Sequence, residues 1–244
     1  MDGIVSNAIV LNAADINEND KIIGLFSPER GKFSAVLKGV KKANAKMKFA
    51  AMPFCFAEFV LSERNGRYTV TNCTEIESFY ELRLDLDRFY AGTCVLETLR
   101  VLGQTNQPDA SLFLEAIRAL KQLKTAAVPK TVLLHFLSRS LDLAGFRLQW
   151  KECTACGSKT LLSGIDFERG GIVCAQCADA TVKPLPAGVI QTMKWISETD
   201  YDRLHTLKIR ENILSGALKV LSDYFAYHVQ RLKSAEEYLN CKLN

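Results

Sequence analysis

The sequence predicts an α+β protein in which a small β-barrel is followed by a helical domain that carries a four-cysteine zinc knuckle. Three observations support this fold class. The first 79 residues contain five short β-rich runs, and the later residues repeat their apolar positions at helical spacing. Two Cys-x-x-Cys pairs, separated by 17 residues, interrupt the helical part. We therefore expect two domains, at 1–79 and 80–244, with the metal-binding insertion at 150–180.

Five runs of β-branched and aromatic residues account for the predicted barrel. They lie at residues 3–11, 21–26, 32–40, 54–62 and 67–74. The last two flank Asn65-Gly66, a dipeptide that strongly favours a tight hairpin. Five short strands fit an OB-like Greek-key barrel, a class that binds oligonucleotides, and an SH3-like barrel fits the same pattern almost as well.

The helical domain begins at about residue 80. A first helix is expected to end near Gly103, and a second begins after Asp109, which is a suitable N-cap. A third begins at Pro129, since proline is tolerated in the first turn of a helix. The remaining helices are expected at 187–196 and from 211 to about 233.

The most specific motif in the chain consists of Cys153, Cys156, Cys174 and Cys177. Two residues between thiolates allow one tight turn to direct both sulfurs at a tetrahedral ion. Four thiolates leave no coordination position for water or substrate, so we expect one structural Zn²⁺ per chain. Two disulfides are the alternative, and they are disfavoured because the sequence has no secretory signal.

Composition and motifs favour a soluble binding protein. Hydrophobic residues make up 48% of the chain and charged residues 24%, as in ordinary globular proteins. The most apolar window, residues 49–61, is too short and too interrupted to span a membrane. The sequence contains no nucleophile elbow, Walker loop, dinucleotide-binding glycine motif or zinc-protease histidine pair. We therefore expect a cytoplasmic protein that is not an enzyme.

One segment is strongly basic although the net charge is only +4. No acidic residue occurs between Arg30 and Ala57. The cations of this segment are Arg30, Lys32, Lys38, Lys41, Lys42, Lys46 and Lys48. Such a segment is typical of a surface that binds an anionic polymer, and a solvated loop is the alternative. We take these seven residues as candidate DNA-binding residues.

Several short motifs occur in a distinctive order along nearly the full chain. They are Phe26-Ser27-Pro28-Glu29-Arg30-Gly31-Lys32, Lys38-Gly39-Val40-Lys41-Lys42, Pro53-Phe54, Leu143-Ala144-Gly145-Phe146 before the first cysteine pair, Phe167 with Gly170-Gly171 before the second pair, and Tyr224 to Leu239. In this combination they resemble the bacterial RecO family of DNA repair and recombination mediators. Some members of that family lack the cysteines, which this sequence retains.

The resemblance implies a non-enzymatic, nucleoid-associated mediator. Such proteins bind single- and double-stranded DNA, anneal complementary strands, work with a RecR-type partner and help a recombinase displace single-strand-binding protein. It also implies that the helical domain binds the acidic, apolar C-terminal tail of single-strand-binding protein. That tail needs an apolar groove with a cation at its rim. The predicted third helix offers Lys130, Leu133, Phe136, Leu137 and Arg139.

Two other functions remain open on the residues alone. A zinc-ribbon nucleic-acid-binding module of a transcription-associated protein would share these features, and its metal segment rather than its barrel would hold the nucleic acid. An enzyme that uses the metal is disfavoured because all four candidate ligands are cysteines.

Overall fold

A computed structural model describes residues 3–241 of the 244-residue chain. Five strands form a closed barrel in the order β1-β2-β3-β5-β4, and β4 closes the barrel by pairing with β1. These strands are β1 (Ile4–Asp15), β2 (Lys21–Ser27), β3 (Gly31–Leu37), β4 (Phe56–Arg64) and β5 (Arg67–Glu77). This five-stranded Greek-key arrangement is the OB type, so the predicted fold class is confirmed and the SH3-like alternative is not.

Local sequence signals explain the barrel strands. Along β3, Phe33, Ala35 and Leu37 are buried and alternate with more exposed residues, which is the alternation expected of a strand with one face inside a barrel. Asn65 and Gly66 have φ values of 54° and 72°, the positive values that a tight hairpin turn requires. The hairpin between β4 and β5 is therefore confirmed.

Six helices follow the barrel within the described residues. They are α1 (Leu86–Leu102), α2 (Ala110–Leu123), α3 (Pro129–Leu143), α4 (Ala187–Glu198), α5 (Glu211–His228) and α6 (Lys233–Asn240). Asp109 caps α2 as predicted, since its carboxylate accepts a hydrogen bond from the Leu112 backbone N–H at 2.9 Å. A 3₁₀ turn, Tyr80–Arg83, precedes α1. None of these helices combines the length and the apolar character needed to cross a membrane.

The helix predicted from 211 to about 233 is present but ends earlier, and a separate helix, α6, begins at Lys233. α5 ends at His228 because the backbone at Val229 departs from helical geometry, with φ −125° and ψ −86°. The turn allows Ala235 and Tyr238 of α6 to enter the core. The Tyr238 ring stacks on Tyr90 of α1 with ring centroids 5.6 Å apart.

Two hydrophobic clusters form the interior of the barrel and of the helical part. One apolar cluster fills the barrel, and a larger one joins the helices to the outer side of the barrel through Ile9, Phe26 and Phe54. The ring of Phe113 in α2 lies 6.4 Å from Phe26 and 5.7 Å from Phe56, measured between centroids. The barrel is therefore packed firmly against α2.

The four cysteines lie in an insertion between α3 and α4 that contains a small three-stranded sheet. Its strands are β6 (Leu162–Asp166), β7 (Gly171–Cys174) and β8 (Lys183–Pro184), in the order β7-β6-β8. A side chain at Gly171 would meet the Gln149 carbonyl oxygen at 2.7 Å, which explains the glycine. Phe167 packs against Tyr224 of α5 with centroids 5.3 Å apart, so the insertion is attached to the helical core.

Candidate metal centre and nucleic-acid interface

The structure brings Cys153, Cys156, Cys174 and Cys177 together. Their four sulfur atoms all lie within 4.8 Å of one another. Cys153 and Cys174 are almost completely buried, whereas Cys156 is exposed. The Sγ atoms of Cys156 and Cys174 are 3.8 Å apart, too far for a disulfide bond of about 2.05 Å. This cluster could hold a metal ion.

Backbone hydrogen bonds shape each cysteine pair into a tight turn. The Gly157 N–H donates to the Cys153 carbonyl at 2.8 Å, and Gly157 adopts φ 74°, which glycine tolerates without strain. The Cys177 N–H donates to the Cys174 carbonyl at 3.0 Å. A third bond, from the Thr154 N–H to the Ile172 carbonyl at 2.9 Å, ties the first turn to β7. The two pairs are therefore held face to face by the protein backbone.

The thiols in this cluster compete for protons. Burial opposes ionisation of Cys153, but hydrogen bonds from the backbone N–H groups of Cys174, Cys156 and Ala155 outweigh it and lower the Cys153 pKa to about 6. The neighbouring thiols of Cys156 and Cys174 raise the Cys177 pKa to about 12. Negative charges this close repel one another, and a divalent cation among them would allow all four thiolates to coexist.

The structure divides the seven candidate DNA-binding residues between the two ends of β3. Arg30 and Lys32 lie at its beginning, and the others follow its last residue. The strand has seven residues, so its ends are roughly 20 Å apart. The segment after the strand, which we call the basic loop, contains Lys38, Lys41, Lys42, Lys46 and Lys48.

The basic loop packs against the acidic loop between β1 and β2. The Asp20 carboxylate accepts a hydrogen bond from the Gly39 backbone N–H at 2.7 Å, and Lys41 forms an ion pair with Asp15 at 2.7 Å. Lys48 donates to the Ala43 carbonyl at 2.7 Å. The other three lysines, Lys38, Lys42 and Lys46, are exposed and make no ion pair within residues 3–241. They are the cations of this loop most available to an anionic ligand.

Arg30 and Lys32 make contacts with the protein itself. An Arg30 guanidinium nitrogen donates to the Tyr68 hydroxyl at 3.1 Å, and its guanidinium carbon lies 5.6 Å from the Tyr68 ring centroid. Lys32 Nζ donates to the Arg100 carbonyl at 2.8 Å and so links the barrel to α1. These residues therefore have structural contacts that the linear charge pattern did not show.

Sequence reasoning missed two cations at the Arg30 end of the barrel. Arg64 and Arg67 face each other across the tip of the β4–β5 hairpin, and both are exposed. Tyr68, which follows Arg67, brings this hairpin to Arg30. These two arginines could have been found from the sequence, because they lie on either side of Asn65-Gly66 and that dipeptide predicts the tip of a hairpin.

The apolar residues proposed for the tail groove lie in the core. Leu133, Phe136 and Leu137 are completely buried, because this face of α3 packs against the neighbouring helices. Lys130 is also buried, forms an ion pair with Glu211 and lies 4.7 Å from the Tyr238 ring centroid. These four residues therefore do not form an open groove in this structure. Arg139 alone of the set reaches the surface.

Two histidines have structural contacts. His135 is buried on α3, and its Nδ1 lies 3.1 Å from the Ile196 carbonyl oxygen. Burial lowers the pKa of His135 below its usual value. His228 Nε2 lies 3.0 Å from the Phe167 carbonyl oxygen and thus connects α5 to the insertion that carries the four cysteines.

Two family models match consecutive parts of this chain. The model described as "Recombination protein O N terminal" matches residues 1–79, and the one described as "Recombination protein O C terminal" matches residues 83–236. The chain belongs to the recombination protein O (RecO) family. This confirms the resemblance inferred from the sequence motifs.

Curated RecO proteins are similar to the chain over almost its whole length. The DNA repair protein RecO of Desulforamulus reducens is 28% identical over 238 residues, which cover 96% of this chain and 93% of that protein. The one from Thermoanaerobacter sp. is 27% identical over 238 residues, covering 96% of both chains. The one from Clostridium novyi is 27% identical over 247 residues, covering 98% of this chain and 96% of the relative.

Membership of the RecO family makes this chain a DNA repair protein. The two matches cover the barrel and the helical part in turn, and the cysteine cluster lies within the C-terminal match. The transcription-associated zinc ribbon considered above is therefore not supported.

Proposed function

We propose that this chain binds DNA through the basic loop of its barrel, anneals complementary strands, and helps to load a recombinase onto single-stranded DNA coated by single-strand-binding protein. The observation that carries the proposal is the basic loop itself. It presents Lys38, Lys42 and Lys46 to solvent at one end of an OB-type barrel, a fold whose loops and strand face bind oligonucleotides.

The physical basis of this activity is charge neutralisation. Lysines that contact phosphates release condensed counterions, which favours binding to any DNA sequence. Two neutralised strands repel each other less and can pair. Annealing makes and breaks no covalent bond, so the proposed activity requires no catalytic residue.

Reversal of the charges in the basic loop tests the proposal. The variant Lys38→Glu/Lys42→Glu/Lys46→Glu, which leaves the Lys41–Asp15 ion pair in place, should bind single-stranded oligonucleotides of every sequence more weakly. The slope of log affinity against log salt concentration should fall by about 0.7 per lost phosphate contact. Fluorescence anisotropy of labelled oligonucleotides at several salt concentrations measures both quantities.

A matched control separates local contacts from net charge. Arg203, Lys208 and Arg210 are exposed cations of the helical part, and their reversal to Glu changes the net charge by the same amount. This control should retain most of the affinity. If it loses as much affinity as the basic-loop variant, or if the basic-loop variant binds like wild type, the DNA site is not on this loop.

The metal of the cysteine cluster is, in this proposal, a structural Zn²⁺. Tetrathiolate sites favour zinc over hard cations such as Mg²⁺, and they leave no open position for a reacting water. Metal analysis of folded protein should give one equivalent of zinc per chain. Folded protein with well under one equivalent of zinc would contradict this assignment.

The tail of single-strand-binding protein is proposed to bind at a cavity beside α3 rather than on the buried face of that helix. The cavity has a volume of about 360 Å³ and is lined by Arg139, Leu141, Trp150 and Lys151, among others. Leu141 and Trp150 supply apolar surface, and Arg139 and Lys151 pair with Asp142 and Glu198 at the same cavity. In this proposal the terminal carboxylate of the tail takes the place of one of these acidic partners.

A labelled tail peptide tests this site. Arg139→Glu should weaken peptide binding about tenfold, because it replaces a favourable contact with a repulsive one. Arg203→Glu, an exposed cation outside the cavity, is the control. Peptide binding that neither variant changes would show that the tail binds elsewhere.

A further inference from the structure

Aromatic rings cluster at the surface where the C-terminal ends of α3 and α5 meet the metal-binding insertion. Phe146 stacks on His228 with ring centroids 4.9 Å apart and an interplanar angle of 28°. The Tyr227 ring lies 4.7 Å from His228 and 5.7 Å from Phe167. Phe167 is buried, and Phe146 and His228 are half-buried. Tyr227 is 58% exposed, so one ring of this cluster projects into solvent.

The exposed ring is held in position without contributing to the core. The contact between His228 Nε2 and the Phe167 carbonyl fixes the end of α5 against the insertion, and Tyr227 leans on both rings. Within residues 3–241 the Tyr227 hydroxyl has no hydrogen-bond partner. A large aromatic surface is thus left open on a rigid support.

Two cations border these rings. Lys183 Nζ lies 4.2 Å from the Phe167 ring centroid, is exposed, and has no acidic partner within the part of the chain that the structure describes. Arg147 follows Phe146 in the chain, and its side chain is 81% exposed although it forms a long ion pair with Asp142 at 3.9 Å. Arg147 also borders the cavity proposed for the tail.

We propose that this surface, which we call the aromatic platform and define by Phe146, Lys183, Tyr227 and His228, is a second binding site for single-stranded DNA. A base stacks on Tyr227, and the neighbouring phosphates contact Lys183 and Arg147. An exposed aromatic ring beside cations is the combination that binds single strands without sequence preference, because every base has a π-face.

The platform would bind the second of the two strands that the proposed annealing activity requires. The inference rests on the proposed function, in which the basic loop holds one strand. With a strand on the barrel and another on the platform, one protein molecule brings two complementary strands together. The two strands are then held close together by their binding to one protein molecule, and no other protein is needed to bring them together.

Two substitutions in the full-length protein test whether the Tyr227 ring binds a base. Tyr227→Ala should reduce the affinity of the second strand roughly 5- to 150-fold, the range expected for loss of one base–aromatic stack, and should slow annealing. Tyr227→Phe keeps the ring and should behave like wild type. The probe is a labelled oligothymidylate, whose stoichiometry of binding is measured by titration at low salt. Zinc content and melting temperature check that both variants are folded.

The basic-loop triple variant separates the two sites. Its residual affinity should come from the platform and should fall again when Tyr227→Ala is added. If the triple variant loses all binding and Tyr227→Ala changes neither stoichiometry nor annealing, the platform is wrong while the barrel site stands. If wild-type protein binds no DNA, both proposals fail.

Cross-linking provides a test that needs no variant. Wild-type protein irradiated with an oligonucleotide that contains 5-iodouracil should form covalent adducts at Tyr227 or Phe146, identified by mass spectrometry of the peptides. Adducts confined to the barrel peptides would overturn the inference.

Discussion

Asp15 shows how a single carboxylate organises the proposed DNA-binding surface. It forms ion pairs with Lys21 at 2.8 Å and Lys41 at 2.7 Å and so connects β2 to the basic loop. Hydrogen bonds from these two lysines lower the pKa of Asp15 from 3.8 to about 2. A carboxylate whose pKa is lower in the folded state stabilises the fold when it is ionised.

We predict that the stability contribution of Asp15 depends on pH in a defined window. The contribution is fully present above about pH 5 and is lost as pH falls from about 4 to about 2, because protonation then removes both ion pairs. The difference in unfolding free energy between wild type and Asp15→Asn should therefore be constant from pH 5 to 7 and shrink below pH 4. Urea unfolding of both proteins at each pH measures it.

A second carboxylate in the same loop is the control for this experiment. Glu18→Gln also removes one negative charge, but Glu18 has no ion pair within residues 3–241. The ion pairs of Asp15 would be contradicted if the difference in unfolding free energy between wild type and Asp15→Asn were as large at pH 3 as at pH 7.

At the scale of single residues, the sequence predicted the cysteines better than the lysines. The four cysteines are recognisable because their ligand geometry is encoded in a spacing of two residues. The contact of Lys32 with the Arg100 carbonyl joins residues 68 positions apart, and only the packing of the barrel against α1 creates it. Leu133 was mistaken for a surface residue because periodicity identifies an apolar face without showing what covers it.

At the scale of elements, α6 begins at a contact from another helix. The Glu97 carboxylate of α1 is buried and accepts a hydrogen bond from the Ser234 backbone N–H at 2.8 Å. It also accepts one from the Ser234 hydroxyl. These bonds satisfy donors at the first turn of α6 that would otherwise have no partner.

We predict that Glu97→Ala lowers the free energy of unfolding by about 2 to 3 kcal/mol, since a charged hydrogen-bond acceptor is removed and a buried N–H is left unpaired. Glu236→Ala, which removes an ion pair with Arg231 at the surface of α6, should cost no more than about 1 kcal/mol. Denaturant unfolding measures both variants. Equal costs for the two substitutions would mean that Glu97 does not hold α6.

The elements defined by local signals were predicted well, and those defined by tertiary contacts were not. The β4–β5 hairpin follows from Asn65-Gly66, and the start of α2 follows from Asp109. The break between α5 and α6 has no such signal, because the apolar spacing continues through Leu232 and Tyr238. The turn at Val229 instead brings α6 onto α1, where Tyr238 stacks on Tyr90.

At the scale of the whole molecule, barrel closure determines where the cations lie. The order of the modules was evident from the sequence, since strand and helix periods occupy different halves of the chain. The linear run from Arg30 to Lys48 suggested one basic surface. Because β3 crosses the barrel between these residues, the run is divided between two ends, and the hairpin cations Arg64 and Arg67 join the Arg30 end.

The insertion that carries the four cysteines is part of the main core rather than an appendage. Ile165, Phe167 and Ile172 belong to the large hydrophobic cluster that includes Tyr224 of α5. Lys183 of the same insertion lies over the Phe167 ring. A substitution at the cysteines should therefore destabilise α5 and the aromatic platform. It should affect the barrel less, because the barrel has its own separate core.

We predict that Cys174→Ser lowers the melting temperature by about 5 °C or more, because metal affinity contributes directly to folding free energy. The folded fraction should still bind a single strand through the basic loop, but it should anneal more slowly because the support of Tyr227 is loosened. Cys241→Ser, a cysteine outside the cluster, is the matched control and should change neither quantity. Calorimetry and strand annealing on the same samples measure the two effects. A Cys174→Ser protein that contains no metal yet melts and anneals like wild type would show that the cluster supports neither the fold nor the platform.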